Sequence, residues 1–148
     1  MLQPSVNAEI MACLQAVFLE VEWNLDELVS FYKTIGIMNP GGKPYVEREK
    51  KLYEVIHFSS HVTMCIENIS RVRETTLLDC GCGRSYLPFF VNIVLKKKRR
   101  NITYIGVDAN AKLIEKSSQT AKALDYANMK IYQSSIIDFE PGRKINIV

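Results

Sequence analysis

The sequence predicts an α/β fold, in which an N-terminal helical region precedes a partial sheet of four parallel strands. Three observations carry it. The stretch Thr75 to Tyr86, TTLLDCGCGRSY, passes from a short apolar strand through a glycine turn into an apolar helical run that opens at Ser85. A second apolar segment, Asn101 to Val107 (NITYIGV), ends in Asp108. Strand and helix patterns then alternate to the last residue, as crossover connections between parallel strands require.

Taken in order, residues 5 to 20 place Val6, Ile10, Cys13, Leu14, Val17 and Phe18 at helical spacing on one face, with Val21 just beyond. A second helix starts at Asn24, which can cap it, with Glu27 three residues on to complete a capping box, and stops near Gly36. Asn39 to Pro44 is a loop and marks the internal boundary, giving a helical region 1–44 and a second unit 45–148. Tyr45 to Ile69 reads as a longer helix. Ser85 is expected to cap the helix behind the glycine turn, which runs to about Leu95 with Pro88 in its first turn. A helix from Ala111 to about Tyr126 is closed by Asn128, and Met129 to Gln133 forms the third strand. Asp138 to Lys144 holds a Pro-Gly turn, and Ile145 to Val148 is the expected fourth strand.

Composition narrows the function classes. With 148 residues and 47% hydrophobic content the chain can bury one real core. Its longest apolar run, Leu87 to Leu95, is broken by Asn92 and falls far short of the roughly 20 residues a membrane span needs. No basic region precedes an apolar segment at the N-terminus, so no signal peptide is read and a cytoplasmic location is expected. Cys13, Cys65, Cys80 and Cys82 lack zinc-ligand spacing and are expected to be small buried thiols in a reducing compartment. His57 and His61 lie four apart without a third ligand, so no metal is expected. Charge is uneven: Lys and Arg number seven against ten acids up to Glu74, and twelve against six after it. Five of the twelve form the run Lys96 to Arg100, where a helix should end; it is expected to be a solvated helix end or an RNA-backbone contact.

The chemistry concentrates at the glycine turn. Gly81 and Gly83 permit backbone torsions and a close approach that a Cβ forbids, and the following helix offers unpaired N–H groups. A dinucleotide fingerprint would need a third glycine where Tyr86 stands. Asp79, two residues before the first glycine, would repel a pyrophosphate but suits an ammonium and a sulfonium, the charges of S-adenosylmethionine. Asp108, ending the next strand, can accept both hydroxyls of an adenosine ribose. Ser134, Ser135 and Ile136 follow the third strand at the end where such a sheet has its ligand crevice.

The pattern D-x-G-x-G after an apolar strand, with an acid closing the next strand, resembles motif I of the class I S-adenosylmethionine-dependent methyltransferases. The run Lys50-Lys51-Leu52-Tyr53-Glu54-Val55 is similar to a K-K-x-H-E-V segment ahead of motif I in one methyltransferase-like branch, with Tyr53 in the histidine place. The resemblance covers about Glu47 to the end and implies a Rossmann-like sheet with strand order 3-2-1-4. It implies that Asp79, Gly81, Cys82 and Gly83 surround the methionine part of the cofactor, that Asp108 holds the ribose and Ala109 lies beside the adenine, and that Ser135 and Ile136 meet the adenine. It also implies a fragment of a longer enzyme, or a chain whose sheet a second chain completes, with no assignable catalytic residue. The expected function is methyl transfer to RNA in preference to protein or a small molecule. A non-catalytic cofactor-binding or interaction module and an NAD-dependent oxidoreductase are the alternatives. The N-terminal helices are expected to pack on the sheet or cover the cofactor crevice.

Overall fold

Side-chain caps set where several helices begin. In the computed structural model, which describes residues 5–148, Ser5 Oγ accepts the Ala8 N–H and opens α1 (Val6–Val17). Asn24 Oδ1 accepts the Glu27 N–H at 3.0 Å and opens α2 (Leu25–Thr34). The capping box expected there forms only by half, because the Glu27 carboxylate receives Lys97 Nζ at 2.8 Å instead. The chain continues through α3 (Val46–Glu67), β1 (Thr76–Cys80), α4 (Tyr86–Lys97), β2 (Thr103–Asp108), α5 (Ala111–Ala123) and β3 (Met129–Gln133). Asn110 caps α5, accepting the N–H groups of Lys112 and Leu113. That helix ends earlier than its apolar pattern suggests because Asp125 turns left-handed, at φ 55°. Asn128, expected to close α5, instead pairs its amide with Asn92 and donates to the Ile102 carbonyl.

The sheet has three parallel strands in the order β1-β2-β3, with Asp79 opposite Gly106 and Asp108 opposite Gln133. It corrects the expected four. Ile145 to Val148 lies along the free edge of β1 but makes a single parallel bridge, Leu77 to Ile147. Leu78 N–H donates to the Ile147 carbonyl at 2.8 Å; the Thr76 N–H, however, is taken by the Asn146 side chain at 2.8 Å. A side-chain oxygen there replaces the main-chain acceptor that would extend the ladder.

One apolar core joins the N-terminal helices to α4. Its centre is Phe90, whose ring lies about 6 Å from those of Phe18, Trp23, Phe31 and Tyr32. The α1–α2 connection and α2 therefore pack on α4 while α1 packs on α3, and it is α3 that reaches the crevice. The basic run is tied down: Lys97 pairs with Glu27, Lys98 with Glu67 at 2.7 Å, and the buried Arg100 guanidinium donates to the carbonyls of Ile69 and Ser70 and to Thr75 Oγ1. Arg100 thus clamps the end of α3 to the start of β1. Among the described residues no helix is long and apolar enough to cross a membrane.

Candidate functional site

The glycine turn folds back over the end of β2. Gly81 and Gly83 take φ of 79° and 51°, a region where a side chain is strained. The N–H groups of Gly81 and Cys82 both donate to the Val107 carbonyl, at 2.7 and 3.1 Å. The Gly83 N–H donates to Asp108 Oδ2 at 2.9 Å and the Asn110 N–H to Oδ1 at 2.8 Å. Two main-chain donors therefore orient the Asp108 carboxylate, and each oxygen keeps a lone pair for a further donor. Ser117 Oγ, on α5, donates to the Gly83 carbonyl at 2.8 Å and anchors the turn from behind.

Asp79 is held by a residue that sequence patterns did not single out. The Tyr104 hydroxyl, on β2, donates to Asp79 Oδ2 at 3.0 Å. Burial pushes the Asp79 carboxyl above its ordinary value; the Tyr104 hydrogen bond pulls it back, and the Asp108 charge adds to the rise. Cys82 turns its buried side chain toward the sheet, and burial raises that thiol. Its contribution to a ligand is thereby limited to its main chain. The other cysteines correct the expectation of buried thiols: Cys65 and Cys80 are exposed and Cys13 is half-buried. Among the described residues no cluster of His, Cys, Asp or Glu could hold a metal.

Gly106 is the hidden partner of this arrangement. A Cβ built on it would lie 2.9 Å from Tyr104 Oη and 3.0 Å from Cys82 Sγ. Gly106→Ala is expected to cost roughly 1–3 kcal/mol through overpacking, read from urea denaturation, and to push Tyr104 off Asp79. Gly81→Ala meets no atom within 4 Å and pays only the left-handed backbone, about 1–2 kcal/mol.

Ser85 does not cap α4 as expected. It stands at the N-cap position with φ 59°, in the left-handed region, and its side chain makes no cap hydrogen bond. Its buried hydroxyl lies beside the Cys82 and Tyr104 side chains. The first turn of α4 consequently keeps N–H groups free beside the open space over Gly81.

The remaining predicted residues lie around Asp108. Ala109 is exposed directly after it. The Ser134 N–H donates to the Asp108 carbonyl at 3.1 Å, which brings the loop after β3 to the same place. In that loop Ser135 is exposed and its Oγ accepts the Ile137 N–H at 3.2 Å; Ile136 is 55% exposed. On the other side of the turn a cavity of about 710 Å³ lies between α3 and the motif, with Lys51, Glu54, His57, Phe58 and His61 facing Asp79, Gly81 and Arg84. Sequence patterns placed the two histidines merely on a helix surface.

A parallel sheet bearing a glycine turn, a carboxylate before it and a second carboxylate at the end of the neighbouring strand defines a Rossmann-like cofactor domain with the layout of the class I methyltransferases. The chain belongs to a family of methyltransferase domains, whose pattern matches residues 50–146. The expected membership among the methyltransferases is thereby borne out. Among solved structures, the chain is similar to one from Plasmodium falciparum assigned as a protein-L-isoaspartate O-methyltransferase, in complex with S-adenosyl-L-homocysteine: 16% identity, TM-score 0.45, covering 82% of this chain and 67% of that one. Coclaurine N-methyltransferase bound to N-methylheliamine and S-adenosylhomocysteine has 18% identity and a TM-score of 0.48, over 94% of this chain and 40% of that one. Geranyl diphosphate C-methyltransferase from Streptomyces coelicolor A3(2) has 17% identity and a TM-score of 0.39, over 92% and 50%. The chain thus spans half or less of the last two. A search of curated proteins found no match.

Proposed function

We propose that the chain binds S-adenosylmethionine between its glycine turn and Asp108 and forms the cofactor-binding part of an enzyme that transfers the methyl group to an acceptor. The observation that carries this is the convergence on one crevice of Asp79, Asp108, the open space over Gly81 and the uncapped start of α4. When bound, the cofactor supplies a methyl group already activated on a sulfonium. The chain's own residues hold and orient it. The Asp79 carboxylate faces the cationic methionine end, with free N–H groups of α4 for the carboxylate of that end. Asp108 accepts from the ribose hydroxyls, and Ala109, Ser135 and Ile136 border the adenine. Calorimetric titration with S-adenosylmethionine, S-adenosylhomocysteine and NAD tests this: the first two should bind saturably and NAD should not. Binding of NAD alone would replace this function by an oxidoreductase.

Protonation of Asp79 gives the cofactor site a pH dependence. Burial raises the folded-state carboxyl above its unfolded value, so its stabilising contribution is complete below that value and is lost as pH rises through the folded one. Affinity for a ligand ammonium runs the opposite way and increases as the carboxylate forms. Tyr104→Phe removes the hydrogen bond that lowers the Asp79 pKa, so the rise in affinity should move to higher pH. The variant should bind S-adenosylhomocysteine more weakly than the wild type on the acidic side, with the gap closing as pH rises. Identical pH profiles would remove Asp79 from the ligand.

RNA is the acceptor we place first, with protein or a small molecule behind it. Support comes from Arg71, Arg73, Lys96 and Arg99, which are exposed near the N-terminal edge of the sheet. Binding of a single-stranded RNA should weaken with salt, and Lys96→Ala should reduce the log–log slope by about 0.7. A slope unchanged by all four alanine substitutions would leave RNA without support. The edge of β1 beside Ile147 borders an apolar cavity of about 170 Å³ and is where we expect a second chain or further sequence to complete the sheet.

A further inference from the structure

The chain has two histidines, and both line the cavity that Asp79 and Gly81 share with α3. Phe58 and Asp79 line both this cavity and the apolar one beside β1. Phe58 is 57% exposed, on a helix whose other apolar face, Leu52, Val55 and Ile56, is buried. His57 Nε2 lies 3.7 Å from Cys13 Sγ, and His61, one turn further along, is exposed.

The size of the cavity says what else belongs there. Asp108 and Ser135, which border the adenosine part in the proposed binding mode, do not line it. Only the methionine part would enter a space of about 710 Å³, and most of the α3 side would stay free for a second molecule. On the α3 side Glu54 is paired with Lys50 and Lys51 and His57 Nε2 lies against Cys13 Sγ, which leaves the exposed His61 and the face of Phe58 to meet a second molecule. A flat ring satisfies both halves of the lining: Phe58 offers a face to stack on and an imidazole can accept a hydrogen bond from the ring's edge.

We propose that Glu54, His57, Phe58 and His61 form the binding site of the methyl acceptor, and that the acceptor is a planar ring carrying an N–H or O–H group, stacked on Phe58 and hydrogen-bonded at its edge by His61. This rests on the cofactor function proposed above and adds the acceptor's place and chemistry to it. Free phenols or nucleosides and a base within RNA share that chemistry.

Two histidines give just two Hε1 resonances, which report on the site without any turnover. The full chain would be saturated with S-adenosylhomocysteine, its binding verified by calorimetry, and titrated separately with p-cresol, guanosine and a mixed-sequence RNA hexanucleotide. Saturable shifts of the His61 ring protons are expected with at least one probe, weakened fivefold or more in Phe58→Ala; the same titrations in Phe58→Tyr should retain the wild-type response. Shifts with p-cresol or guanosine assign a free ring, and shifts with the hexanucleotide alone assign an RNA base. S-adenosylhomocysteine binding with no histidine shift from any probe overturns the acceptor site while leaving the cofactor function intact. Failure of S-adenosylhomocysteine to bind overturns the cofactor function and this inference with it.

Discussion

Asp108→Ala is expected to weaken S-adenosylhomocysteine binding by roughly a hundredfold or more in calorimetric titration. A carboxylate accepting two ribose hydroxyls makes charge-assisted hydrogen bonds of about 1.5–3 kcal/mol each, and alanine removes both. The substitution also leaves the N–H groups of Gly83 and Asn110 without their acceptor, so the turn itself loosens. Asp108→Asn separates the two effects. The amide keeps one acceptor oxygen and nearly the same volume, so it should hold part of the turn and recover part of the affinity. A thermal melt on each variant checks that the core remains: Asp108 is the last residue of β2 and is not part of the apolar core. Unchanged affinity in Asp108→Ala would show that the ligand does not use the end of β2.

Phe90→Ala should be the most destabilising single change in the chain, by about 3–5 kcal/mol, seen as a lower urea midpoint with an unchanged slope. Phe90 is fully buried, and four rings surround its own: Trp23 stacked at 5.9 Å, Tyr32 stacked at 6.1 Å, and Phe18 and Phe31 tilted at 6.1 and 6.2 Å. The α1–α2 connection, α2 and α4 all supply walls to the space, so it cannot collapse without moving a helix. The same ring is the main junction between the N-terminal helices and the first helix of the cofactor fold. A loss below about 1 kcal/mol would mean that those helices are not packed on α4.

Much of the local structure was legible because it is written within a few residues. Asn24 capped α2 as the S/T/N-x-x-E spacing predicts, and β2 ended at Asp108 where it was expected to. Gly81 and Gly83 took the left-handed torsions that their position in a strand-to-helix turn implies. The meeting of the motif turn with Asp108 was also legible, because adjacent parallel strands of one sheet deliver their C-terminal ends to one place. Tyr104 and Gly106 escaped notice for the opposite reason. Their importance depends on register: Gly106 lies opposite Asp79, and Tyr104, two residues back on the same face, reaches across to it. An alternating pattern gives the face but not the neighbour.

What the sequence alone determined about this protein is its class of fold and the chemical nature of its motif, since both arise from short-range rules: helical and strand periods, caps, and glycine where torsions demand it. The tertiary structure decided how distant groups share one another. Glu27 left its capping role for Lys97, 70 residues away, and Arg100 became a buried clamp rather than part of a free basic end. Ser85 was forced into a left-handed turn that leaves α4 uncapped beside the site, and α3 turned its histidines and Phe58 toward Asp79. Each of these depends on which surfaces meet when the core closes around Phe90, and a contact energy between residues far apart in the chain has no signature in the spacing around either of them.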